Sequence, residues 1–544
     1  MIVVRQAVLL VLATFGMAAV PAAEPDLILH HGKVFTGATA RPWVQAIAIR
    51  GERIVATGSD AEVLPLAGKR TRSVDVGGRT VIAGIDDAHI HLAPEPVGAV
   101  DVELAEQDPT WEQMQTALQA AVKRASPGAF VRGTISWTIF GDLSVDRDAL
   151  DRISTEHPIL LDTLTGHATI LNSAALSRLG IGEEIRDPVA GRFERFPDGR
   201  LSGVVREYAG FEVSRRLAAL TSDADAVAQL RERLSLLKRW GVTSVQDLSD
   251  SVEPGRAAQR LAKVPTPIRV RVVPMPGTSP TGRDTREGNG LPVHPTSLIT
   301  ISGRKWLLDG VWLEFTLDPR NTHRRPSGSM DSLVAALPLT FPPPEMKAML
   351  EESLRTGQQL LVHVAGYPAA KAMLEAMQET GGPKVWGRRR VRFEHGDGLF
   401  PDLLEPTRAL GVVVVQNPSH LRAFPGSLEK GQPLKSLLAH EIPLALGSDG
   451  PPNPFLNILF ATQPSHRPSE AISREEAVIA YTRGSAYAEG AEGEKGTLEP
   501  GKLADLAVLS RDIFTVAPSE LPGTESVLTL VGGRVVHDAG VLPR

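Results

Sequence analysis

The stretch Val81-Ile82-Ala83-Gly84-Ile85-Asp86-Asp87-Ala88-His89-Ile90-His91 sets two histidines one residue apart at the end of a short apolar run. Side chains alternate along a strand, so His89 and His91 project to one side, about 6.5–7 Å apart. Two imidazoles so placed can grip one divalent cation between them. One such pair is a weak signal. It gains weight because later strand-like apolar runs end, in order, in Lys305, His363, His395 and Asp449.

Those runs belong to a longer pattern. From Thr80 to about Glu489, short apolar segments such as 241–247, 359–364, 391–395, 412–416 and 442–449 alternate with helical stretches. Near-continuous apolar strands separated by helices indicate an α/β parallel sheet covered on both faces. The polar residues gather at the C-terminal ends of the runs. A (β/α)8 barrel keeps its chemistry there, and an open doubly wound sheet obeys the same rule. Residues from about 100 to 219 are too long for one βα unit and read as an insertion over the mouth. The stretches 276–295 and 318–344 read as long loops, which are often lids or substrate walls.

The flanks have a different style. Residues 24–79 read as short strands with turns, including a hairpin over 46–58 that turns at Gly51-Glu52, and 490–544 resume that style. Neither piece alone has strands enough for a core, so together they are expected to form one composite β-sandwich. Before them, Arg5, the apolar stretch Ala7 to Val20 and the small residues Val20-Pro21-Ala22-Ala23 read as a signal peptide over 1–23. The apolar segment is short for a membrane span of about 20 residues. The expectation is a cleaved, exported protein, periplasmic or secreted, with no stable membrane anchor.

The 544 residues carry a net charge of -5 and no cysteine. Mild acidity argues against a nucleic-acid partner. Without thiols, disulfides and thiolate nucleophiles are excluded, and any metal must sit on nitrogen and oxygen.

A lone histidine on an apolar run is more often a satisfied core residue than a ligand. Several such residues, each at a strand end, are not independent accidents. Left without a partner in a shared interior, they would cost several kcal/mol. Lys305 is the sharpest case, because burial lowers the pKa of an amine, and a neutral amine can capture carbon dioxide as a bridging carbamate. The competing reading has it snorkelling to the surface or paired with Asp309. Asp449 reads as metal ligand, proton shuttle or simple helix N-cap. His167 and His420 lie off the strand ends and suit substrate contact better than ligation. The aromatic residues Trp137, Phe140, Trp312, Phe315 and Phe455 are candidate pocket walls, although such residues are more often core.

In this order, HxH, Lys, His, His and Asp resemble the amidohydrolase superfamily, and the flanking text is similar to its amidohydrolase family 3, YtcJ-like branch. The likeness rests on 303–310 around Lys305, on 157–176 and 199–207 within the insertion, and on the return motif 496–506. It implies a TIM-like barrel with a composite sandwich, holding one or two zinc ions that hydrolyse a non-peptide C–N bond of a small molecule. By carry-over His89, His91 and Asp449 would hold the more buried ion, His363 and His395 the second, and carboxylated Lys305 would bridge them. Asp449 would also move the catalytic proton. Ala83 and Asp86 depart from the pattern before HxH, and Tyr367 stands where an Asp is usual; Asp86 adds a carboxylate expected beside the site. Ester or lactone hydrolysis, deacetylation, or an exported barrel that binds without turnover are the alternatives.

Overall fold

In a computed structural model of the chain, the described residues are 24–104, 109–135, 137–265, 268–311, 330–423 and 429–542. The segment 1–23, Trp312, Phe315 and the Trp137 side chain lie outside them.

The apolar runs form two parallel sheets. One has four strands in the order Ile299–Ile301, Arg269–Pro274, Val242–Ser249, Ile85–Ile90. The other has five: Arg304–Leu307, Leu360–Val364, Arg392–His395, Val413–Gln416, Leu444–Leu446. All pairings within both are parallel. Two links connect the sheets. Ile301 passes through Ser302 and Gly303, the latter at φ 80°, straight into the Lys305 strand. On the far side Asp449 N–H donates to His89 O at 2.9 Å. Gly447 permits that approach, since a Cβ there would collide with the His89 backbone.

Helices cover these strands for reasons visible in the sequence. The helix Asp223–Arg239 starts where the Ser222 side chain accepts from Asp225 N, and it buries Val227, Leu230, Leu234 and Leu237. That spacing forms one apolar stripe. The helix Pro343–Thr356 opens on prolines and stops at Gly357, whose φ of 74° suits a left-handed cap. Both stripes pack into one large apolar cluster with the strand residues Val245, Val270, Val362, Phe393 and Val414.

The chain ends meet in one six-stranded sheet, in the order Arg534–Asp538, Ser526–Val531, Leu506–Leu509, Thr80–Ala83, Lys33–Phe35, Trp43–Val44. A four-stranded sheet, Arg53–Gly58, Ala46–Arg50, Leu27–His30, Arg72–Asp75, holds the expected hairpin, with Gly51 at φ 56°. Leu29, Ile47, Ile49 and Val74 of the smaller sheet share one cluster with Val34, Val81, Leu506 and Leu530 of the larger. Thr80–Ala83 is separated from the His89 strand by Gly84 alone, and Gly84 N–H donates to Asp505 O at 2.9 Å.

Between Val100 and Glu207 a second six-stranded sheet forms, in the order Gly191–Arg195, Leu201–Glu207, Ala168–Leu171, Ile159–Thr163, Val131–Ile135, Val100–Asp101. It carries its own core, including Met114, Leu118, Val131, Ile159 and Ile170. Within 276–295 only Thr278–Ser279 and Gly282–Arg283 pair, as suits a loop. Of the other expected loop, 318–329 lie outside the described residues; in the remainder Met330–Val334 is helical and the helix from Pro343 begins.

Candidate active site

The residues expected at the site come together at the C-terminal ends of the parallel strands. Asp449 is the hub. Its Oδ2 lies 3.4 Å from His89 Nε2, 3.7 Å from His395 Nε2 and 3.6 Å from His420 Nε2, while its Oδ1 lies 3.4 Å from His91 Nε2. Lys305 Nζ lies 3.2 Å from His89 Nε2. His363 packs edge-on against His395, ring centroids 4.4 Å apart, and His167 of the insertion lies 4.9 Å from His363. His395 sits at φ 69° and Asp449 at φ 37°, a region that ordinary residues rarely occupy and that clusters at functional sites.

Each strand-end imidazole is steered from behind. Glu394 Oε2 accepts from His89 Nδ1 at 2.8 Å, Asp309 Oδ1 from His363 Nδ1 at 2.7 Å, and Asn417 Oδ1 from His395 Nδ1 at 2.8 Å. Asp250 Oδ2 faces His91 Nδ1 at 3.4 Å. For His89, His363 and His395, a proton on Nδ1 leaves the Nε2 lone pair to face the centre, the arrangement metal-ligating histidines use. Glu394 is itself gripped by the fully buried Arg392, through Nε to Oε1 at 2.8 Å and Nη2 to Oε2 at 3.1 Å.

The electrostatics favour neutral imidazoles at three of the strand-end histidines. Burial pushes His89 down to about 4 and holds His363 and His395 well below the usual imidazole range. Burial also lowers the Lys305 amine. For Asp449 burial opposes ionisation, yet His89, His91 and His420 outweigh it and hold the carboxyl well below its ordinary value. His91 also resists burial: Asp250 and Asp449 raise it to about 10. The donor set fits a divalent ion: one atom each of His89, His395 and Asp449 lie within 4.8 Å of one another, and all are nitrogen or oxygen.

The competing readings of two residues fail. Lys305 is 2 % exposed, so it does not snorkel. Asp309 is not its partner, being taken up by His363 and by the backbone N–H groups of Ala365 and Gly366. Asp449 caps no helix; Asn453 caps Pro454–Thr462. The expectation for Asp86 needs correction. Asp86 does not stand beside the imidazoles but pairs with Lys495 Nζ at 2.9 Å, next to Glu489, because strand alternation sends it to a different neighbourhood from His89. Tyr367 points to Asp402, 2.9 Å from its hydroxyl. Phe140 and Phe455 are fully buried core rather than pocket wall.

Sequence reading missed Glu394, Asn417 and Asp250, and left Asp309 open as a partner of Lys305. A charged pair inside the apolar run 391–395 was the available signal, since a buried charge must have a partner.

Parallel strands that collect imidazoles, a carboxylate and a buried amine at their C-terminal ends define an α/β enzyme with the donor set of a metal centre. The chain belongs to the amidohydrolase family, whose model matches residues 72–537, and it is an enzyme acting on carbon–nitrogen bonds. It is 27% identical to the protein LONG AFTER FAR-RED 3 of Arabidopsis thaliana, over 94% of this chain and 91% of that one. It is 25% identical to an N-substituted formamide deformylase of Arthrobacter pascens, over 93% and 97%. An uncharacterized metal-dependent hydrolase from Pyrococcus furiosus superposes with a TM-score of 0.65 at 21% identity, covering 90% of this chain and 100% of that one. This last likeness supports the TIM-barrel type of α/β fold.

Proposed function

We propose that the protein is a metal-dependent hydrolase that cleaves a non-peptide, amide-type C–N bond of a small molecule. The observation that carries this reading is the convergence on Asp449 of His89, His91, His395 and His420, with Lys305 against His89. In this reading the two parallel sheets close as a (β/α)8 barrel over 80–489, and the terminal segments 24–79 and 490–544 form a composite sandwich. The insertion spans about 100–219. The likeness to a formamide deformylase favours an amide-type substrate.

His89, His91 and Asp449 would hold one zinc ion, His363 and His395 a second, and Lys305, as its carbamate, would lie between them. When bound, such an ion supplies Lewis acidity and lowers the pKa of a coordinated water towards about 7. Asp449, ionised and centred among the imidazoles, accepts the proton lost from attacking water and delivers it to the leaving nitrogen. Glu394, Asp309 and Asn417 keep each imidazole in one tautomer. His420, held by Asp449 O at 2.8 Å, and His167 contact the substrate from opposite ends of the row of rings. The chain is exported, and 1–23 is its signal peptide; no helix among the described residues is long and apolar enough to cross a membrane.

Metal analysis of the purified protein, with a panel of N-acyl and matched ester substrates, tests the reading. Bound zinc with faster amide than ester turnover is expected. Bound metal without turnover on any member would leave a binding protein instead.

A further inference from the structure

His167 and Glu207 both come from the insertion, yet they lie against the barrel's own histidines. Glu207 holds His167 at two points. Its Oε2 accepts from His167 Nδ1 at 2.9 Å, and its backbone N–H donates to His167 O at 2.9 Å. Glu207 does so from φ 49°, ψ −127°, a conformation that L side chains avoid unless the surroundings impose it. The barrel makes room for this pair. Gly310 follows Asp309, the carboxylate behind His363, and a Cβ at Gly310 would collide with Glu207 Oε1.

The imidazoles form an arc. Ring centroids run from His420 to His395 at 5.3 Å, to His363 at 4.4 Å and to His167 at 4.9 Å. Asp449 stands in the His420–His395 half of the arc, its Oδ2 3.6 Å and 3.7 Å from their Nε2 atoms. A scissile bond laid along the arc with its leaving nitrogen towards Asp449 therefore turns its acyl side towards His167.

We propose that Glu207 and His167 form a substrate-orienting dyad, in which His167 meets the acyl side of the scissile amide and Glu207 is its positioning residue. This rests on the hydrolase reading above. It makes the insertion part of the site and explains the glycine at 310 by the space Glu207 needs.

The test uses zinc-loaded full-length protein and acetohydroxamic acid, a small acyl probe, with binding measured by calorimetry. The variants are His167→Gln, Glu207→Gln, the double variant, and Gly310→Ala, which displaces Glu207 without altering its chemistry. Each single variant is expected to bind the probe about tenfold more weakly, the loss of one hydrogen bond's worth of affinity. The double variant is expected to lose no more than His167→Gln alone, with zinc content and melting temperature as in the wild type. Wild-type binding in the single variants, or losses that multiply in the double variant, would overturn the dyad. Loss of zinc with His167 would overturn it too, making that residue a ligand. A wild type that takes up neither zinc nor probe would remove the hydrolase reading itself, and the dyad with it.

Discussion

Lys305 Nζ lies 3.2 Å from His89 Nε2, with the lysine 2 % and the histidine 0 % exposed. An amine in that position is disfavoured as a cation, and burial lowers its pKa. Such a group is suited to carbamate formation. Lys305→Ala is expected to lose metal and activity together, and short-chain carboxylic acids are expected to restore part of both. Full native activity in the alanine variant would exclude a bridging role.

Asp449 is expected to carry the proton. Asp449→Asn keeps an oxygen for ligation but removes the base, so turnover is expected to fall by about 10²–10⁴-fold. Metal content should remain largely intact. Rates and metal stoichiometry measured on the same preparation decide the point; near-native turnover would reassign the role.

Glu394 would act on a bound metal only through His89, whose Nδ1 it accepts from at 2.8 Å. Burial opposes its ionisation, and Arg392, with His89 and Lys305, reverses that and holds the carboxyl far below its usual range. Glu394→Gln weakens the grip on the His89 proton. Competition with a chelator should show metal affinity lowered by about 10–100-fold, and unchanged affinity would mean that the carboxylate only fills space.

Asp247 supplies a pH dependence that can be read without turnover. It is 4 % exposed and accepts Leu92 N–H at 2.9 Å, and burial raises its carboxyl to about 7. In the unfolded chain an aspartate titrates near 3.9. The folded state thus favours the protonated form, and this contribution is complete below about pH 4 and lost as pH rises through about 7. Asp247→Asn removes the titration while keeping an acceptor. In metal-free protein the variant should gain little at pH 4 and most above pH 7, on the order of 4 kcal/mol at the limit. Equal gains at every pH, measured by urea unfolding, would contradict this.

The order HxH, Lys, His, His, Asp was legible because each residue ends an apolar run, and parallel strands put their C-terminal ends on one face. The alternation of strands and helices likewise gave the α/β class. The partners behind the imidazoles were not legible in the same way. Asp309 is four residues from Lys305 and was read as its neighbour, yet a strand end turns it towards His363 on the next strand. Asp86 is three residues from His89 and serves Lys495, far along the chain. Glu207 needs a backbone conformation that no propensity predicts. Ligand order follows from topology, whereas the hydrogen bonds that aim each ring depend on packing between distant segments.

Gly84 leaves one residue between Thr80–Ala83 and the strand bearing His89 and His91, and Thr80–Ala83 is flanked by Leu506–Leu509. The first histidine pair is made long before the strand that braces it. A ribosome-bound chain released short of Leu506 would carry every proposed ligand and still lack the brace for the first two. Translation must pass Leu509 before this catalyst can assemble.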